Sequence, residues 1–146
     1  MFRKLMNTTD DLAITIPRLA LGVVFFAHGA QKALGWFGGY GFSGTMGFFT
    51  QQMHIPAAFA FLAICAEFLG GIGLLLGLLG RVAALGIACD MVVAVWMVHR
   101  HFGLFANWSG LQKGEGYEYH ILTIAITLAI MIKGSGAFSV DRALSK

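Results

Sequence analysis

The chain has 146 residues, 58% of them hydrophobic and only 12% charged, with a mean hydropathy of +0.75 and a net charge of +3. Soluble domains carry roughly 25% charged residues, so this composition excludes an ordinary water-solvated surface and points to a membrane protein. The basic residues are scattered, without a basic block or aromatic-basic interleaving, which excludes a nucleic-acid partner.

A hydrocarbon core of about 30 Å takes about 20 helical residues to cross. Residues 14–34, 57–79 and 82–98 meet or approach that length, and 117–133 form a weaker fourth span interrupted by Thr123 and Thr127. Short connections without a Pro/Ser-rich linker predict one integral membrane domain over residues 1–146. Asp10 and Asp11 before the first span, and Arg18 within it, argue against a cleaved signal peptide. Along that span Arg18, Gly22, Phe25, Gly29 and Lys32 fall on one helical stripe, with His28 one turn before Lys32.

The connection 35–56 is rich in glycine and aromatics, which suits headgroup depth, and residues 46–53 are expected to form a short interfacial helix. Its functional alternative is a lid over a small-molecule site. In the second span Glu67 stands alone among apolar residues. A carboxylate at such a depth costs roughly 2.5–3.5 kcal/mol, so it should face a bundle interior or a wet cavity. Gly70, Gly71, Gly73 and Gly77 permit close helix packing on the same span.

Only Gly80-Arg81 separates the second and third spans, which predicts a tight antiparallel hairpin. Counted from that turn, Glu67 and Asp90 lie about thirteen and about ten residues away, so their depths differ by about 5 Å. Two carboxylates in low dielectric cannot both ionise cheaply, so one holds a proton or a cation sits nearby. Arg18 has the reach to pair with Asp90. Cys65 and Cys89 are offset by about 9 Å, too far for a disulfide, and read as small hydrophobes.

Arg3, Lys4, Arg81, Lys133, Arg142 and Lys146 fall on one side of this arrangement, and Lys32, Arg100 and Lys113 at or beyond the other. The bias predicts both termini in the cytoplasm. Alternating spans would gather His28, Gln31, Lys32, His99, His101, Glu118, Tyr119 and His120 at the outer rim, where Lys32 with Glu118 is a reasonable ion pair. Either these groups only neutralise one another and anchor helix ends, or they line a pocket for a small ligand, a quinone head or a proton path. His99-x-His101 is too unspecific for a metal or haem site, and no metal is expected. No Walker, Rossmann or Ser-His-Asp pattern is present.

The succession Arg18, Phe26-Ala27-His28-Gly29-Ala30-Gln31-Lys32, Ile55-Pro56, Glu67-Phe68-Leu69-Gly70-Gly71, Gly80-Arg81, His99, Asn107 and Gly116-Tyr117-Glu118-Tyr119 resembles the DoxX family of small bacterial membrane proteins. The tail, Gly134-Ser135-Gly136 and Ser139-Val140-Asp141, is similar to that family's ending. This resemblance implies an all-α, four-helix transmembrane bundle in the bacterial inner membrane. It also implies a place beside redox complexes, since the family is named for a subunit of a complex coupling thiosulfate oxidation to quinone reduction. By position Arg18, His28, Lys32, Glu67 and Glu118 are the family-like polar residues, with Asn107 and Tyr119 beside them. The chain supplies no complete catalytic constellation or redox centre, so thiosulfate chemistry is not carried over and enzymatic activity stays open. The expectation is an accessory or anchoring subunit of a quinone-linked membrane redox complex, in the lipid bilayer with a membrane or peripheral redox partner and room for oligomerisation. Its candidate polar seam is Arg18, His28, Lys32, Glu67, Asp90, His99, Asn107, Glu118 and Tyr119. A small-molecule binding or transport protein, or a purely structural one, is the alternative.

Overall fold

The computed structural model describes residues 5–145, all helix, turn and loop with no strand among them. Arg3, Lys4 and Lys146, used above for topology, lie outside the described residues. Helix α1 (Leu12–Leu34) starts at Asp11, whose carboxylate accepts the Ala13 N–H at 2.8 Å, and stops at Gly35 in the left-handed conformation. A short 3-10 turn, Trp36–Gly38, leads to α2 (Gly41–Gly47) and a π-helical turn, Phe48–Gln52, so the expected interfacial helix is a broken one. Helix α3 (Ala57–Leu76) follows Pro56, and α4 (Gly80–Met97) follows almost at once. After a 3-10 turn at His99–Phe102 and a loop come α5 (Glu118–Lys133) and α6 (Val140–Ser145).

Helices α1, α3 and α4 are long and apolar enough to cross a bilayer, with α5 shorter at 16 residues. The turn between α3 and α4 lies earlier than hydropathy predicts. It is made by Gly77-Leu78-Leu79, while Gly80 and Arg81 already belong to α4. The breaker is Gly77 at φ 63°, followed by Leu79 at φ 49°; the apolar side chains of Leu78 and Leu79 hide that turn from a hydropathy reading.

The four longest helices pack in a ring, α1 on α3, α3 on α4, α4 on α5 and α5 back on α1. Phe25, Leu74, Ile87 and Ile130 fill its interior. The α1–α3 contact is the closest because glycines line it from both sides. A Cβ on Gly22 would meet the Leu75 nitrogen at 2.9 Å, one on Gly71 would run into the Phe26 backbone, and one on Gly29 into the Phe68 backbone. Gly71→Val should therefore force the two helices apart, lowering stability by at least the roughly 1–3 kcal/mol typical of overpacking. Gly47→Ala, where an added Cβ meets nothing within 4 Å, is the neutral control in the same detergent unfolding experiment.

The end of the bundle where α1 begins and the tail returns is closed by hydrogen bonds as well as by the buried Met6, Ile14 and Ala137. Arg18 is fully buried, and its guanidinium donates to the carbonyls of Leu74 and, at 3.2 Å, of Leu75 and Phe138. It therefore binds the end of α3 and the tail and does not pair with Asp90. Asp141, also buried, accepts from the N–H groups of Leu79 at 2.7 Å and Gly80 at 2.9 Å and from the Ser135 hydroxyl at 2.6 Å. A carboxylate from the tail thus caps the first turn of α4. Arg81 donates to the Met131 carbonyl and, at 3.2 Å, to that of Asn7, fastening α4 to α5.

Candidate functional site

The α1–α3 register determines what happens at the opposite end. Gly29 lies directly on the Glu67–Phe68 backbone, so Lys32, three residues further along α1, is carried up beside the Glu67 carboxylate. Lys32 Nζ donates to Glu67 Oε2 at 2.5 Å, with the two side chains 26% and 10% exposed. This pair replaces the expected Lys32–Glu118 bridge. Glu118 instead accepts the Trp108 indole N–H at 3.0 Å.

Glu67 on α3 and Asp90 on α4 line one cavity, together with Lys32. One ammonium and two carboxyls therefore belong to one apolar-walled space.

This cluster opens into a cavity of about 1600 Å³ that runs between α3 and α4. Its flanks include Phe59, Leu69, Val82 and Val93, all close to half exposed or more, so the cavity opens sideways where acyl chains would lie. Small residues on its walls bring α3 and α4 close: a Cβ on Gly86 would meet Ala66 at 3.5 Å, and one on Gly70 the Ile87 side chain at 3.2 Å. At its mouth Phe48 and Phe49, from the π-helical turn, lean over it beside His54. The connection 35–56 thus lines the cavity as well as suiting the interface. A second cavity of about 260 Å³ lies against Lys32 between Gly39, Tyr40 and Phe48.

Toward the loop end the cavity is walled by imidazoles. The rings of His99 and His120 are 4.0 Å apart, and the His99 Nδ1 is 2.8 Å from the Glu115 carbonyl. His120 is buried and its Nδ1 has no hydrogen-bond partner. Tyr119 packs edge-on against it.

Of the nine seam residues proposed from the sequence, His28, Lys32, Glu67, Asp90, His99 and Tyr119 line this one cavity. Arg18 does not, being held at the other end of the bundle. Asn107 stands apart too, closing its own loop through Gln112 and Glu115, and Glu118 holds Trp108. Glu115 and His54 also line the cavity, and nothing in a loop's periodicity marks which residue will turn toward a groove. No cluster of three or more metal-ligating side chains occurs among the described residues, and Cys65 and Cys89 are free.

The DoxX family model matches residues 13–100. The chain is 28% identical to the Escherichia coli (strain K12) "Inner membrane protein YqjF" over 97% of its length and 98% of that protein's. It is 26% identical to the Bacillus subtilis (strain 168) "Putative oxidoreductase CatD" over 93% of this chain and 90% of that one. It is also 31% identical to the Mycobacterium tuberculosis membrane protein Rv3486 over 98% of this chain and 88% of that one. No solved structure matches. With a family model covering most of its length and three helices apolar enough to cross a bilayer, the chain is a multi-pass bacterial inner-membrane protein and belongs to the DoxX family.

Proposed function

We propose that the protein is an accessory or anchoring subunit of a quinone-linked membrane redox complex, and that its groove admits a quinone from the bilayer. The observation that carries this reading is the sideways-opening cavity ending on the Lys32–Glu67 pair. An isoprenoid tail suits the apolar walls between α3 and α4, and a carbonyl head can accept from Lys32 Nζ or the Tyr119 hydroxyl. The redox association draws support from the oxidoreductase name of the Bacillus subtilis relative.

In this reading α5 is the fourth span and both termini are cytoplasmic. Arg81, Lys133 and Arg142 lie toward the end with the termini, whereas Lys32, at the other end, is engaged with Glu67 and leaves Arg100 and Lys113 as the basic loop residues.

Titrating a short-chain quinone into the protein in nanodiscs tests the groove. Saturable binding should weaken tenfold or more in Glu67→Gln while the helical circular dichroism is retained. Equal binding by the variant would remove the quinone from this site. Mild-detergent purification from native membranes tests the subunit role, and repeated recovery of the chain alone would count against it. The groove equally suits a binding or transport protein for another hydrophobic small molecule, which the same titration separates by ligand.

A further inference from the structure

The charges in the groove do not balance, and the imbalance has a chemical consequence. Glu67 has its cation in Lys32, but Asp90 has no ion-pair partner among the described residues. The cavity that Asp90 lines is also lined by His28 and Lys32 from α1, Glu67 from α3, and Tyr119 and His120 from α5. His54, His99 and Glu115 line it as well, with the free thiols of Cys65 and Cys89. With one ammonium for two carboxyls in one apolar-walled cavity, the second carboxyl is neutral only while it carries a proton.

A separate feature indicates an unfilled polar position. His120 is 6% exposed, lines the same cavity, and has a buried Nδ1 with no partner. Buried polar atoms are almost always satisfied, so this nitrogen is placed for a ligand group. An anionic head would meet Glu67 and Asp90, and a neutral head would leave the proton where it is. A cation does neither.

We infer that the groove binds a lipophilic amine in its ammonium form, its apolar body between α3 and α4 and its charge on Asp90, in exchange for the proton that Asp90 carries when the groove is empty. His120 Nδ1 is the hydrogen-bonding position left open for a polar group nearer the rim. The proton leaves to water as the ammonium enters, so the net charge of the site is unchanged. This inference rests on the groove being a ligand site and is independent of quinone chemistry.

The test uses the whole protein in zwitterionic nanodiscs at pH 8, above the titration range of ordinary histidines, with empty nanodiscs as background. Three ligands share one tail: 4-phenylbutylamine, 4-phenylbutanol and 4-phenylbutyrate. The amine is expected to bind at least tenfold more tightly than either of the others and to release one proton per molecule bound, measured in weak buffer. Asp90→Asn should abolish both the preference and the release while its thermal transition remains. Equal affinity across the three ligands, preference for the carboxylate, or amine binding without proton release would overturn the inference. If Asp90→Asn fails to fold, the ligand series and the proton count on the unaltered protein decide alone. A short-chain quinone that binds while the amine does not removes this inference and leaves the redox reading standing. Binding of neither removes both.

Discussion

Asp141→Ala is expected to lower the unfolding free energy by roughly 4 kcal/mol, the sum of a lost charge-assisted cap and the polar groups it leaves stranded. The carboxylate accepts from two main-chain N–H groups and one hydroxyl in a layer with almost no water access. An alanine there leaves the Leu79 and Gly80 N–H groups without acceptors, at about 1–3 kcal/mol for each buried orphan. It also removes a negative charge from the layer of buried Arg18, since both residues meet Gly77 there. Asp141→Asn keeps one acceptor oxygen but turns an NH2 group toward a donor, so it should lose a smaller part of that amount. Denaturation by graded sodium dodecyl sulfate in mixed micelles measures both. An alanine variant as stable as the parent would show that the tail does not hold the α3–α4 turn.

The second large effect belongs to the Lys32–Glu67 pair, and it is asymmetric. Lys32→Met leaves Glu67, whose side chain is 10% exposed, without its cation in the cavity it shares with Asp90. Breaking a buried pair from one side costs about 3–5 kcal/mol, and proton uptake by the orphaned carboxyl brings the expected loss here toward the lower figure. Glu67→Gln should cost less. The Lys32 side chain is 26% exposed and can extend toward the loop end once released. The double variant Lys32→Met/Glu67→Gln should recover much of the Lys32→Met loss, so a double-mutant cycle reads the coupling directly. Strict additivity of the two single changes would mean that the pair contributes nothing to the bundle.

How far these features could be read from the chain depends on which contacts determine them. Three long helices and the inward face of Glu67 follow from hydropathy alone, because a bilayer-length apolar run tolerates a carboxylate only on a protected face. The expectation that Glu67 and Asp90 lie at similar depth comes from counting along a hairpin, a count that survives a shift of the turn by a few residues. The partner of Lys32 could not be counted. It depends on the register of α1 against α3, and that register is set by Gly22, Gly29 and Gly71 admitting backbone from the other helix. Arg18 was misplaced for a related reason. Its partners are main-chain carbonyls exposed where α3 ends and where the tail returns, and a side-chain pattern carries no mark of them.

The cap on α4 also orders events during synthesis. Gly80 and the carboxylate that satisfies its N–H are 61 residues apart in the chain. At about 5–20 residues per second, the hairpin of α3 and α4 waits roughly 3–12 s between translation of its turn and translation of its cap. Through that interval the Leu79 and Gly80 N–H groups have only water or headgroups to bond, so the hairpin remains a provisional insertion. The nascent bundle becomes committed to its final packing only when Asp141 has left the ribosome and folded back beneath it.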